Sequence, residues 1–199
     1  LIPMESPRTR LDTFDARLGL DRGRPKWQEA LWHLCKCFFF LSPLPWPSSL
    51  KVRILRRFGA HIGKGVVIKP RVNIHFPWKL HLGDHVWIGE EVFILNFEPC
   101  TIGAHCCISQ RTFLCGGNHD YRAEDFRYRN GPITVEEGAW VGAQCFVGPK
   151  VTIGEETVVF AGSIVTRTLP AGVLCSGNPC HVIKARWPES NKDPAQCPV

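Results

Sequence analysis

The stretch Ile62-Gly-Lys-Gly-Val-Val-Ile68-Lys-Pro-Arg-Val-Asn-Ile74 sets an aliphatic residue at every sixth position, and the same beat runs on to Val165. It continues as Leu82, Ile88, Ile94; Ile102, Ile108, Leu114; Val135, Val141, Val147; and Ile153, Val159, Val165. All fifteen grid positions are Ile, Leu or Val. A fixed hexapeptide period marks a parallel β-helix, in which each hexapeptide makes one side of a triangular coil. The grid therefore predicts an all-β solenoid of about five coils. Gly follows the grid residue seven times, from Gly63 to Gly154, which suits tight turning at corners. Smaller residues such as Val72, Cys106, Thr112, Ala139 and Cys145 fall four places after it and fit a narrow interior.

The breaks in the grid carry functional information. Steps from one coil to the next are 8, 8, 21 and 6 residues, so extra residues enter after the third side of the first three coils. Those insertions must stack along one corner of the prism. Two are short, around 76–79 and 98–100. The third lies within 116–131 and contains His119, Asp120, Tyr121 and Tyr128. A long loop on an otherwise economical scaffold is usually functional.

The net charge of +6 is unevenly placed. Residues 1–57 hold 11 Lys/Arg against 5 Asp/Glu, whereas the remainder holds 13 of each. A neutral body lacks the basic stripe that nucleic acid requires. The basic extension instead suits an anionic membrane or a phosphorylated substrate. Ten cysteines occur with no Cys-x-x-Cys pair, and Leu1-Ile-Pro-Met-Glu5 does not open a secretory signal. Reduced thiols in a cytoplasmic protein are the expectation, with the extension available to meet the inner face of a membrane.

Residues 1–24 read as a polar, mobile segment. Over 25–59 a helical extension is expected to cap the first coil, since an open solenoid exposes its core. Pro25 opens a helix with Trp27, Ala30, Leu31, Leu34, Cys35, Phe38 and Leu41 on one face, and Ser42-Pro-Leu-Pro-Trp-Pro47 ends it. A second helix runs from Ser48 as N-cap to Phe58, stopped by Gly59. Peripheral membrane contact through these aromatics and Lys51, Arg53, Arg56 and Arg57 is the alternative to capping. The β-helix itself is assigned to 60–170. Residues 171–199 form a C-terminal segment and a tail that lacks apolar period from Pro188 onward.

His119 is the leading candidate for chemistry, because an imidazole titrates near neutrality and can take a proton from a hydroxyl. His85 and His105, each three places after a grid residue, are expected to form an outward surface ladder; no third ligand stands at zinc-site spacing, and no metal is expected.

The repeat, the Asn118-His-Asp120 loop and Ala161-Gly-Ser-Ile-Val-Thr-Arg167 resemble the hexapeptide acyltransferases of the maltose and galactoside O-acetyltransferase type. More narrowly, Phe58-Gly-Ala-His-Ile-Gly63, Pro77-Trp-Lys-Leu-His-Leu-Gly-Asp84 and Ile108-Ser-Gln-Arg-Thr-Phe-Leu-Cys-Gly-Gly-Asn-His-Asp120 resemble the colanic acid biosynthesis acetyltransferases, over roughly 25–187. The resemblance implies a left-handed coil and a homotrimer with active sites between subunits. It also implies His119 as general base, with Asn96, Asp120 and Trp140 toward the acceptor. Ala143 and Ala161 match positions whose backbone meets the pantetheine arm; Thr166, Arg167 and Lys184 match those at the nucleotide end of coenzyme A. Many members carry Lys where this chain has Arg167.

The function so implied is acetyl transfer from acetyl-CoA to a saccharide hydroxyl, in an exopolysaccharide precursor. Three alternatives stand beside it. They are an N-acetyltransferase on an amino-sugar nucleotide, a zinc β-helix of the carbonic anhydrase kind, and a non-catalytic assembly protein.

Overall fold

A computed structural model describes residues 8–187. The readings that fall on 1–7 and on the tail from Pro188 lie outside the described residues. The body is a three-sided solenoid whose sides are parallel sheets. Face one stacks His61–Ile62, Leu80–Leu82, Cys100–Ile102, Ile133–Val135 and Thr152–Ile153. Face two begins Val67–Ile68, Trp87–Ile88, Cys107–Ile108, Trp140–Val141 and Val158–Val159, and face three runs from Asn73–Ile74 to Ile164–Val165.

Grid residues lie directly above one another, Ile62 over Leu82 over Ile102 over Val135 over Ile153 on face one. All fifteen are buried, and so are all eleven smaller residues four places further on. The polar ones among the latter are satisfied inside: Thr112 Oγ1 donates to the Gly142 carbonyl at 2.7 Å and Ser163 Oγ to that of Phe160 at 2.6 Å. Backbone groups pair with the next coil, as Gly63 N–H does with Leu82 O at 2.8 Å. The core is thus a column of apolar side chains inside a sleeve of inter-coil hydrogen bonds.

The solenoid has about six turns rather than five. Leu169 bridges Ile153 on face one, and Val173–Gly177 extends face two with Cys175 paired to Val159. Leu169 and Cys175 keep the six-residue spacing and are buried, but the step from Val165 to Leu169 is only four positions, so the beat slips out of phase. Cys180–Ala185 then turns back antiparallel on that edge.

The turning role expected of the glycines belongs to other residues. The left-handed backbone falls three places after the grid, at Arg71, His85, Glu91, His105, Arg111, Gln144, Lys150 and Glu156, with φ of 55–64°. The glycine next to the grid serves close approach of the neighbouring coil. A Cβ on Gly142 would stand 2.6 Å from Ala161 N, and one on Gly83 would stand 2.5 Å from Ala104 N. Gly148 is the exception, its nearest neighbours being at 3.5 Å.

Two helices close the first coil. The first, α1, spans Lys26–Cys35 and widens into a π-turn over Lys36–Phe40; the second, α2, spans Ser48–Arg57. Pro47 is the N-cap of α2, not Ser48. The Ser48 hydroxyl is turned to the sheet, where it accepts the Ile68 N–H at 3.0 Å. At the other end Gly59 (φ 94°) carries a Schellman closure, Ala60 N to Leu55 O at 3.0 Å and Gly59 N to Arg56 O at 3.0 Å.

Each side of the first coil ends in carbonyls with no coil below, and each is met by a side chain from the helices. Arg56 donates to Ile62 O at 2.7 Å, Lys51 Nζ to Lys69 O at 2.9 Å, and Trp32 Nε1 to His75 O at 3.0 Å. Lys51 and Arg56 are therefore caps; Lys51 is buried and leaves the membrane-contact set, whereas Arg56 stays exposed. Lys51 is fully buried, and that burial lowers its pKa.

The apolar face expected to pack inward on α1 points the other way. Trp27, Leu31, Leu34 and Phe38 are exposed, whereas Trp32 and Phe40, which lie off the face marked by the apolar spacing, are buried with the Lys36 stem. Among the described residues no helix is long and apolar enough to cross a membrane. The segment read as mobile over 1–24 is laid, from residue 8 onward, against the corner insertions. Arg10 N–H donates to Glu124 O at 2.7 Å, Trp78 Nε1 to Arg22 O at 2.7 Å, and Lys79 Nζ to Asp21 O.

The glycine geometry separates two substitutions that look alike in sequence. Gly142→Ala should lower stability by about 1–3 kcal/mol, the usual cost of overpacking, while Gly148→Ala should leave it within about 0.5 kcal/mol. Chemical denaturation of the two variants checks this; equal midpoints would show that close approach is not what Gly142 provides.

Candidate active site

The three insertions line one corner, between faces three and one. The short ones bring Phe76–Lys79 and Phe97 together, and the long one lies beside them. Gly131 N–H donates to Gly116 O at 3.0 Å, closing the loop at its base. Within it, Asp120 N pairs with Arg127 O at 2.8 Å and Arg129 N with Asn118 O at 2.8 Å, so 118–120 and 127–129 run as a short antiparallel ribbon.

His119 sits on that ribbon, half-buried and oriented rather than loosely solvated. Its ring stacks on Phe126 at 4.3 Å, tilts over Tyr128 at 4.8 Å and meets the edge of Phe14 at 5.4 Å. Nδ1 is 2.6 Å from the Phe126 carbonyl. A carbonyl can only accept, so Nδ1 carries the proton in the neutral ring and Nε2 is left with the lone pair. A packed imidazole with one nitrogen fixed as donor is arranged to take a proton at the other.

Asp120 lies beside it, with Oδ1 accepting Arg122 N–H at 3.1 Å in a turn. Asn96 is placed differently from the acceptor-contacting role implied for it. It is 1% exposed, its Oδ1 accepts Phe76 N–H at 2.9 Å, and its Nδ2 donates to Phe76 O at 2.6 Å. Both ends are engaged by one peptide, so Asn96 clamps the first insertion to the second.

The remaining candidates divide by position. Thr166 and Arg167 follow Ile164–Val165, on the same corner as His119 and both exposed. Trp140 is on face two, across the prism from that corner, rather than beside His119. It is 48% exposed, with Nε1 donating to Ser109 Oγ at 2.9 Å. Ala143 and Ala161 stack on the corner between faces two and three, where Gly162 N–H donates to Ala143 O at 2.8 Å. Lys184 is exposed on the antiparallel strand that edges face two, paired with Leu174 and away from the Arg167 corner. One chain therefore carries the candidates as two groups, His119 and Arg167 on one edge, Trp140, both alanines and Lys184 elsewhere.

His85 and His105 form the expected ladder, stacked at 5.2 Å. Among the described residues no three His, Cys, Asp or Glu side chains gather as a metal site within one chain. The nine described cysteines are free. Burial pushes the Cys100 thiol up to about 12 and those of Cys106 and Cys175 to about 11, which disfavours the thiolate needed for nucleophilic catalysis.

Phe14, Phe126 and the Phe126 carbonyl escaped sequence reasoning. No sequence signal marks them, since Phe126 turns onto His119 from a left-handed backbone (φ 49°) just outside the ribbon.

No protein-family model matches the chain. It is 50% identical over 179 residues to the WcaF protein of Escherichia coli strain K12, which carries the name of a colanic acid biosynthesis acetyltransferase; the match covers 88% of this chain and 96% of WcaF. It is 30% identical over 145 residues to the galactoside O-acetyltransferase of the same organism, covering 69% and 70%. A hexapeptide-repeat acetyltransferase of Vibrio cholerae O1 biovar eltor, solved with acetyl coenzyme A, shares the fold with a TM-score of 0.74 at 23% identity, over 82% of this chain and 89% of that one. Identity at that level with WcaF, over almost all of both chains, establishes that this solenoid belongs to the hexapeptide-repeat acetyltransferases and is an acetyltransferase.

Proposed function

We propose that the protein moves an acetyl group from acetyl-CoA to a hydroxyl of an exopolysaccharide precursor, in a site completed by a second copy of the chain. The observation that carries this reading is the division of the candidates into two groups. The edge bearing His119 and Arg167 and the surface bearing Trp140, Ala143, Ala161 and Lys184 belong to different sides of one prism. A neighbouring copy related by a threefold axis brings one edge against the other surface, and each of three such grooves then holds a complete set.

In that groove His119 Nε2 accepts the proton of the sugar hydroxyl as its oxygen attacks the thioester carbonyl. A C–O bond forms, the C–S bond breaks, and the proton passes on to the departing thiolate. Trp140 offers a half-exposed ring to the sugar, and Arg167 and Lys184 meet the phosphates of coenzyme A. Support for coenzyme A comes from the V. cholerae relative solved with it, and for the saccharide from the names of the two E. coli relatives.

The same reading seats the outer face of α1 on a membrane, on its cytoplasmic side where the leaflet is anionic. Trp27, Leu31, Leu34 and Phe38 form an exposed apolar ridge. Lys26 and His33 flank it on one side and Arg57 on the other, while the single acid of α1, Glu29, is turned aside and held by Arg22. An apolar ridge between cations is the form of an interfacial helix.

His119→Ala should reduce acetyl transfer by about 10²–10⁴-fold with the fold intact. Trp140→Ala should also be weak. Chains carrying these two substitutions, co-expressed and purified together, should regain measurable turnover, because a mixed assembly contains some grooves with both residues. No recovery from demonstrably mixed assemblies would place the site within one chain. For the membrane, the protein should float with phosphatidylglycerol vesicles, and Leu34→Ser with Phe38→Ser should abolish it. Flotation unchanged by that pair, or absent in the parent, would remove α1 as the contact.

A further inference from the structure

Beneath α1, on the side away from α2, lies a cavity of about 340 Å³ lined by Arg22, Lys26, Glu29, His33, Lys36 and His75. That volume falls in the range of small-molecule sites. Trp32, Phe76 and Trp78 complete the walls. Three basic side chains face one carboxylate there, and Glu29 already has an oxygen engaged by Arg22. Its other oxygen, Oε1, is buried without a partner.

Lys36 is the unusual member. It is 9% exposed, yet unlike Lys51, which donates to two carbonyls, it has no protein acceptor among the described residues. Its stem is buried, which disfavours the charged form, while its ammonium reaches the cavity with no protein acceptor to hold it. The field of these cations is felt by His75, whose pKa is lowered to about 4 by burial, by Lys36 and by Arg22. His75 is therefore neutral, and one of its ring nitrogens remains a donor. The walls are fixed from outside the cavity: Trp78 holds the Arg22 carbonyl, and His75 O is taken by Trp32.

We propose that this cavity binds the phosphate or diphosphate group of the acceptor, with Lys36, Arg22 and Lys26 supplying charge and His75 a hydrogen bond. The inference rests on the acyl-transfer reading for its biological sense, though not for its chemistry. Successive ring contacts lead from His75 to Phe97 (4.9 Å), Phe97 to Tyr128 (5.9 Å) and Tyr128 to His119 (4.8 Å). A saccharide anchored by its diphosphate at His75 can thus extend over this aromatic strip to present a hydroxyl to Nε2. The diphosphate could belong to a soluble nucleotide sugar or to a lipid carrier, and the cavity edge at Lys26 and His33 borders the outer ridge of α1.

Calorimetric titration of the full chain with inorganic pyrophosphate, in saturating coenzyme A to occupy its own phosphate site, tests this. Binding is expected in the parent and should weaken by roughly tenfold or more in both Lys36→Met and Arg22→Gln, given the strength of charge-assisted bonds to phosphate. Lys36→Met replaces a buried cation by an apolar residue of similar volume and is expected to fold. In the parent, the imidazole resonances of His75 should shift on adding pyrophosphate, with the titration midpoint moving upward as the anion offsets the local positive field. Absent binding, unchanged affinity in both variants, or an unmoved His75 signal would overturn the proposal. Titration with uridine diphosphate against a lipid diphosphate in phosphatidylcholine vesicles distinguishes the sources; tighter binding of either supports the site, and binding of neither overturns it. None of these readouts needs turnover. A protein that binds pyrophosphate but transfers no acetyl group would fault the acyl-transfer reading alone, and an active enzyme that ignores pyrophosphate would fault only the cavity.

Discussion

A stack of parallel coils satisfies its backbone only by having another coil above and below, and the rest of this structure follows from that requirement. Along the body each coil meets its neighbour through bonds such as Gly63 N to Leu82 O, and the aliphatic column inside is a consequence of that spacing. At the first coil the ladder has no continuation. Three side chains, one for each face, take its place: Arg56, Lys51 and Trp32. An unprotected edge of this kind is a template for pairing with other chains. The helices are therefore part of the solenoid's hydrogen-bond scheme rather than an appendage to it. This also explains why a lysine of the extension, Lys51, is buried.

Because the capping residues occupy the inner side of the helices, what remains on the outer side is free for other uses. The apolar residues of α1 are more numerous than the end of the coil can cover, and the surplus faces solvent. The chemical residues follow a similar division. Faces one to three are committed to stacking, so the groups that could touch a substrate are found at the insertion corner, on outward-facing strand positions such as Trp140, and at the corner alanines. A single chain distributes these around its perimeter. The proposed assembly is what would bring them together, and on that reading the quaternary arrangement is a condition of chemistry rather than of folding.

The period of six was legible in the sequence because the interior takes one large aliphatic residue per side with a smaller one beside it; the fifteen grid positions proved uniformly buried. The corner insertions were legible for the same reason, as departures from a strict count. What escaped the reading has local causes. The last turn was missed because a short connection puts Leu169 out of phase. The orientation of α1 was misjudged because amphipathicity identifies an apolar face but not which way it points, and Trp32 and Phe40 fill a space that only the folded coil defines. Asn96 matched a family position, yet its two hydrogen bonds to Phe76 depend on how two insertions lie together. His119 stands out in sequence through its loop and its resemblance, but the tautomer set by the Phe126 carbonyl exists only once the ribbon has formed.

The bond from Gly131 N to Gly116 O means that the long loop leaves and re-enters the coil through one hydrogen-bonded gate. The coil beneath it keeps its register whatever lies beyond that gate, since Val135 stacks on Ile102 as though the intervening residues were absent. Such a loop is a cassette. Its length and sequence can drift or be exchanged while the scaffold is untouched, because lengthening an already closed loop adds only slowly to its entropic cost. A lineage built on this coil can therefore vary one segment without disturbing the stack, which makes 117–130 a natural point of entry for exchanging loops between members of the family.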